Sequence, residues 1–226
     1  YSDDELSQRQ EVNKQKWQRA NNIAQKIQWI PFIKMAGVIN SVSFNSAKQE
    51  SDIDFFFITA KNRLWVVRTF VTIWLGLLGL KKKKNEVADK ACLGFWISED
   101  NLNFENLQIE QYRDINFLYW FAHISPLLDD KTADRFLLEN PWVKAKLPKA
   151  ELTKTKLLKP SALGEFIKGF IEIFLFGPIG NLFDNILFWF HKKRLASFPE
   201  NQTSKEPFVV IKKNILSLLR RLFCSV

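Results

Sequence analysis

Near the start of the chain the apolar positions Trp17, Ala20, Ala24 and Ile27 recur at helical spacing, and Pro31 closes the run. Ser2 and Glu5 stand three apart, as in a capping box, so a helix is expected from residue 2 to about residue 30. Two β-branched and aromatic runs follow, at 33–39 and 52–59, and read as strands parted by the polar stretch 40–51. Residues 64–80 return to helical character, 81–85 form a lysine-rich loop, and 91–98 read as a third strand. Beyond Asp100 the pattern is helical, at 111–124, 131–139, 161–176, 179–194 and 208–223, with Pro126, Pro141, Pro148 and Pro160 at the joins. Strands among helices early and helices alone later predict an α+β fold: a small mixed sheet flanked by helices, then a helical C-terminal half.

Composition narrows the function classes. With 226 residues and 46% hydrophobic content, the chain is long and apolar enough to bury a core, which excludes a disordered protein. A division is expected into a first domain at 1–148 and a helical extension at 149–226. Two cysteines, Cys92 and Cys224, exclude a disulfide scaffold, and both histidines lie far from them in sequence, which excludes a Cys/His zinc module. Lys and Arg number 33 against 24 Asp and Glu, a net charge of +9, beside 21 Phe and 8 Trp. That pairing points to an anionic partner: a nucleotide, a nucleic acid or a membrane surface. The polar, acidic opening at residues 1–5 has no apolar leader core, and a cytoplasmic location is expected.

Two apolar stretches bear on membranes. Residues 64–80 are short for a span and contain Arg68. Residues 166–190 carry Lys168, Glu172, Asp184 and a Gly177-Pro178 break. No span is expected, and peripheral contact with a membrane surface stays open.

The sharpest chemical feature is Asp52 with Asp54. Positions two apart on a strand share a face, so two carboxylates would sit close together and call for a cation. Such pairs hold oxygen-preferring Mg²⁺ beside phosphates. A solvated acidic strand end is the plainer alternative.

The preceding segment adds to this. Asn40 and Ser41 follow the first strand, ten residues intervene at 42–51, and Asp52-Ile53-Asp54 opens the second strand. The arrangement resembles the polymerase-β-like nucleotidyltransferase superfamily, in which a Gly-Ser turn precedes Asp-x-Asp by a similar interval. Residues 30–41, Ala47, Glu50 to Asp54, Arg63-Leu64-Trp65 and Arg68 are similar to bacterial members. Fainter echoes occur at Asp114, Pro126-Leu127 and residues 140–143, so the resemblance spans about residues 15–148. It implies metal-dependent nucleotidyl transfer from an NTP, ATP foremost, to an acceptor that is a small molecule, a protein or an RNA. It also implies Asp52 and Asp54 as catalytic ligands of Mg²⁺ or Mn²⁺, with Asn40, Ser41 and Ser51 binding the nucleotide.

Four departures stand out. Asn40 replaces the family's Gly, and Asn45-Ser46 replaces a Gly-containing turn. The third strand contains no acid and is only flanked by Asp89, Glu99 and Asp100, while Trp120 stands where relatives carry Glu. They support a second reading, a catalytically degenerate nucleotidyltransferase fold that binds a protein, nucleic acid or membrane surface as a scaffold. Lys81, Lys82, Lys83 and Lys84 read either as contacts to phosphates or anionic lipid or as a solvated loop.

Overall fold

The computed structural model describes residues 3–104, 113–148, 152, 155–158, 161–196 and 209–218. Helix α1 (Asp3–Ile27) precedes β1 (Ile33–Ile39), a single helical turn α2 (Asn40–Ser43), β2 (Ile53–Thr59), α3 (Leu64–Leu77) and β3 (Ala91–Ser98). Then come α4 (Arg113–Ala122), β4 (Ser125–Asp129), α5 (Thr132–Leu138), α6 (Pro141–Lys146), α7 (Ala162–Phe174) and α8 (Gly177–Ala196), and last the hairpin β5 (Val209–Lys212) and β6 (Ile215–Leu218). The strands form one mixed sheet in the order β4-β1-β2-β3-β6-β5. β2 and β3 are parallel, joined through α3, while the other neighbours are antiparallel. The fold is α+β, as the alternation of patterns predicts.

The central strand β2 is apolar on both faces because helices cover both. Phe55 and Phe57 enter a core with α1 and α3. Phe56 and Ile58 enter an aromatic core with α4 and α5, where Phe95, Phe104, Trp120 and Phe136 meet. Trp142 is buried and stacks on Phe117. Trp120 is likewise a core residue.

Three expectations are corrected. The segment at 208–223 is not a helix: its described part forms the β5–β6 hairpin, and β6 extends the sheet beside β3. Val209, Val210 and Ile211 are β-branched, and Lys213-Asn214 makes the two-residue turn such strands favour. Pro126 is no mere join but lies inside β4. It is tolerated there because β4 is an edge strand with a register shift opposite Gly37. Gly37 eases the close approach at that point, since a Cβ would come 3.1 Å from Ser125 O and β4 would have to shift by a few tenths of an ångström. Pro141 opens the short helix α6 rather than only breaking the chain, a favoured place for proline.

α8 is fastened to α3 by polar groups. Asp184 Oδ1 accepts from the backbone N–H of Trp65 (2.8 Å) and Val66 (3.1 Å), satisfying donors at the start of α3. Arg63 donates to Asn181 Oδ1 (2.7 Å), Leu175 O (2.7 Å) and Gly177 O (3.2 Å), closing the bend between α7 and α8.

Candidate metal centre and anion cavity

Asp52 immediately precedes β2 and Asp54 lies within it. The parallel register sets Cys92 of β3 opposite Asp54. One ligand atom from each of Asp52, Asp54 and Cys92 lies within 4.8 Å of the other two. Asp52 is ion-paired with Lys82. Asn40 Nδ2 donates to Asp54 Oδ2 at 2.9 Å, and the Cys92 thiol donates to Asp54 as well. Burial first, and the adjacent Asp52 charge second, raise the pKa of Asp54, with Asn40, Cys92 and Lys82 pulling the other way.

Helix α1 sets the loops that carry these groups. The buried Lys16 donates to Gln49 O and Ser51 O, both at 2.7 Å, and to Asp89 Oδ1 at 2.9 Å. Asn13 donates to Asn45 O (2.7 Å) and accepts from Ala47 N (3.1 Å). The approaches to β2 and β3 are thereby held to one helix, which fixes the separation of Asp52, Asp54 and Cys92.

Asn40 has φ 59°, the left-handed conformation that glycine adopts freely and that asparagine tolerates better than most other residues. Its Oδ1 is buried with no partner among the described residues. Ser51 turns its hydroxyl elsewhere, accepting from Lys48 N at 3.0 Å. Ser41 uses its backbone carbonyl to accept from Ser46 N at 2.8 Å. The structure thus brings Asn40, Asp52 and Asp54 together. The flanking acids do not join them: Asp89 pairs with Lys16, Glu99 accepts from Lys61 N (3.1 Å), and Asp100 accepts from Asn214 (3.2 Å). Cys92 takes the third place. Sequence reasoning sought an acid there and missed it, because only the β2–β3 register reveals that residue 92 faces residue 54.

Beside this cluster, at the N-terminal end of β3, lies a cavity of about 590 Å³. Arg68, Lys81, Lys82, Lys83, Lys84 and Arg194 line it with His191, and Lys82 and Cys92 belong to cavity and carboxylate cluster alike. The lysine run is therefore a cavity wall. Arg68 Nε is buried and unpartnered among the described residues. Burial, then the nearby Arg194, pull the Arg68 pKa down to about 10, and Lys81 is lowered by burial, Arg194 and Arg68. Cations that lose basicity in this way lack counter-charge, and the cavity is suited to an anion.

His191 is held neutral in this setting. Its Nδ1 lies 3.1 Å from Arg68 Nη1, which must donate, so Nε2 carries the hydrogen toward Thr69 Oγ1 at 3.0 Å. Thr69 Oγ1 in turn donates to Trp65 O at 2.7 Å. Burial, then Arg68, Arg194 and Lys81, lower the His191 pKa from 6.5 to about 4. The unfolded chain binds a proton below pH 6.5 while the folded one resists until about pH 4, so stability held above pH 6.5 is lost as pH falls. The loss is expected to approach ~3 kcal/mol. Urea unfolding as a function of pH measures it, and His191→Gln should flatten the slope; equal slopes in both proteins would refute the assignment.

No family model, no curated protein and no solved structure matches the chain. What the fold and site define is an α+β protein with a candidate metal-ion centre, Asp52, Asp54 and Cys92, set against a polycationic cavity. Among the described residues no single helix is long and apolar enough to cross a membrane.

Proposed function

We propose that the protein is a metal-dependent nucleotidyltransferase that acts on an NTP, with Asp52 and Asp54 holding the cation and the lysine-lined cavity receiving phosphates. The observation that carries this reading is the shared wall: Lys82 and Cys92 touch both the carboxylate pair and the cavity, so a metal-bound triphosphate would meet its counter-charges at once. Two carboxylates and the orphaned Asn40 Oδ1 suit a hard divalent cation, whereas the Cys92 thiol favours Mn²⁺ over Mg²⁺. When bound, such a cation neutralises and orients the phosphates. An acceptor hydroxyl would form a bond to the α-phosphorus as the α–β phosphoanhydride bond breaks; pyrophosphate leaves toward Lys81 and Lys84, and the hydroxyl proton passes to solvent. ATP is the first nucleotide to try, and a small molecule, protein or RNA is the acceptor class. A cytoplasmic setting, where ATP is abundant and Cys92 stays reduced, belongs to the same reading.

One observation favours a second reading, a retired enzyme that binds an anion as a scaffold. Both carboxylates already have partners within the chain, Lys82 on Asp52 and Asn40 on Asp54. Incubating the full chain with each α-phosphate-labelled NTP, Mg²⁺ or Mn²⁺ and a cell lysate separates the two. Label on an acceptor, strongest with Mn²⁺, is the expected result. No label with any nucleotide and metal would remove the enzymatic reading in favour of the scaffold.

A further inference from the structure

Thirteen of the twenty exposed large apolar side chains among the described residues fall between Leu163 and Phe190, on α7, α8 and the bend joining them. A concentration of that kind is far larger than scattered surface apolar residues and marks an interaction face. On α8, Ile179, Leu182, Phe183, Ile186 and Trp189 follow helical spacing and are 51–65% exposed. They occupy one side of the helix. The other side is used: Asp184 caps α3, Leu187 and Phe188 pack on the core, and His191 binds Arg68 and Thr69. α7 repeats the pattern with Phe166, Phe170, Ile173 and Phe174, each 58–77% exposed. The two helices meet at 91°, and neither alone is long and apolar enough to cross a membrane.

Charge says what covers this face. The two acids within 166–190 turn inward: Glu172 Oε1 accepts from Phe32 N at 2.8 Å, and Asp184 is buried against α3. Between Leu163 and Phe190 the one carboxylate left exposed is Glu165, in the first turn of α7. Cations stand at the end of α8, where Lys192, Lys193 and Arg194 are exposed and Lys192 Nζ lies 5.1 Å from the Trp189 ring centroid. Arg194 continues into the lysine-lined cavity with Lys81 and Lys84. An apolar helical face ending in clustered cations and an aromatic at the boundary is the arrangement that lies in a membrane interface. A second copy of the chain would bring the same cations against these, so charge disfavours self-association.

We propose that α7 and α8 form a bent, monotopic docking face for an anionic phospholipid bilayer, with the apolar side chains entering the acyl boundary and Lys192, Lys193 and Arg194 meeting headgroup phosphates. The face holds the cation-lined cavity near the membrane surface.

Flotation of the full chain with vesicles tests this. One set contains about one-third phosphatidylserine in phosphatidylcholine, the other phosphatidylcholine alone. The chain should float with the anionic vesicles and much less with the neutral ones. Phe183→Asp and Phe170→Asp, both at exposed positions, should each weaken partitioning by about tenfold or more without altering far-UV circular dichroism. Lys192→Glu with Lys193→Glu should abolish the preference for anionic vesicles. The proposal is overturned if the chain floats with neither vesicle. It is also overturned if the native chain is a stable dimer in light scattering that Phe183→Asp dissociates, or if both aspartate variants float as the native chain does.

Discussion

Asp54→Asn is expected to abolish nucleotidyl transfer, by ~10³-fold or more, while making the metal-free protein slightly more stable. The two effects share one cause. Asp54 is half-buried beside Asp52, and both burial and that neighbouring charge act against its ionised form. An amide keeps the shape and can still accept from Asn40, but it carries no charge for Asp52 to repel. It therefore relieves a penalty that, on the proposed reading, a bound cation would offset. Thermal unfolding in chelator and turnover with Mn²⁺ and labelled NTP read the two sides. A carboxylate kept for structure alone would give the opposite pair of results: a less stable variant with turnover unchanged.

The second large effect belongs to the aromatic core. Phe56→Ala should destabilise the protein by ~3–5 kcal/mol, a large part of the total stability of a domain this size. Phe56 is fully buried on β2, with its ring centroid 5.2 Å from Phe95, 5.6 Å from Phe136, 5.9 Å from Trp120 and 6.3 Å from Phe104. Removing it opens a cavity among rings whose planes already fix one another, so the neighbours have little freedom to close in. Phe56 also lies two residues from Asp54, and the variant should loosen the Asp52, Asp54 and Cys92 cluster before global unfolding. Urea unfolding followed by tryptophan fluorescence measures the cost; a loss under 1 kcal/mol would mean that this core is looser than its geometry states.

Much of the fold can be read from residue patterns. The bounds of β1 and β3 follow directly from the β-branched and aromatic runs, and β2 begins one residue later than its pattern suggests. Long periodic helices such as α1 and α3 are equally plain, since their apolar stripes extend over several turns. What escapes is structure set by partners distant in sequence. β4 contains a proline, acceptable because β4 is an edge strand: among the described residues no further strand lies beside it, and Leu158 N donates to Leu127 O instead. The β5–β6 hairpin has enough leucine nearby to resemble an amphipathic helix, and its strand state depends on docking against β3. The expected helix at 111–124 starts outside the described residues, as does Cys224.

The site divides in the same way. The pairing of Asp52 with Asp54 follows from strand alternation, whereas Asn40 is singled out only by the resemblance to a Gly-Ser turn, and its left-handed backbone comes from the structure. Cys92 and Lys82 are 38 and 28 residues beyond Asp54 in the chain, and they reach the carboxylates only through the β2–β3 register and the course of the lysine loop. The cavity is less legible still. Its cations come from α3, the loop after it and the end of α8, and each taken alone reads as an ordinary solvated charge or a helix-terminal cation.

Calorimetric titration of ATP into the full chain, with Mn²⁺ and with chelator, tests the central claim most directly when repeated on Asp54→Asn. Saturable binding that requires both Mn²⁺ and Asp54 is the result expected of a carboxylate-held cation presenting the nucleotide to the lysine cavity. ATP binding of equal strength in chelator, or equal in native chain and variant, would contradict it.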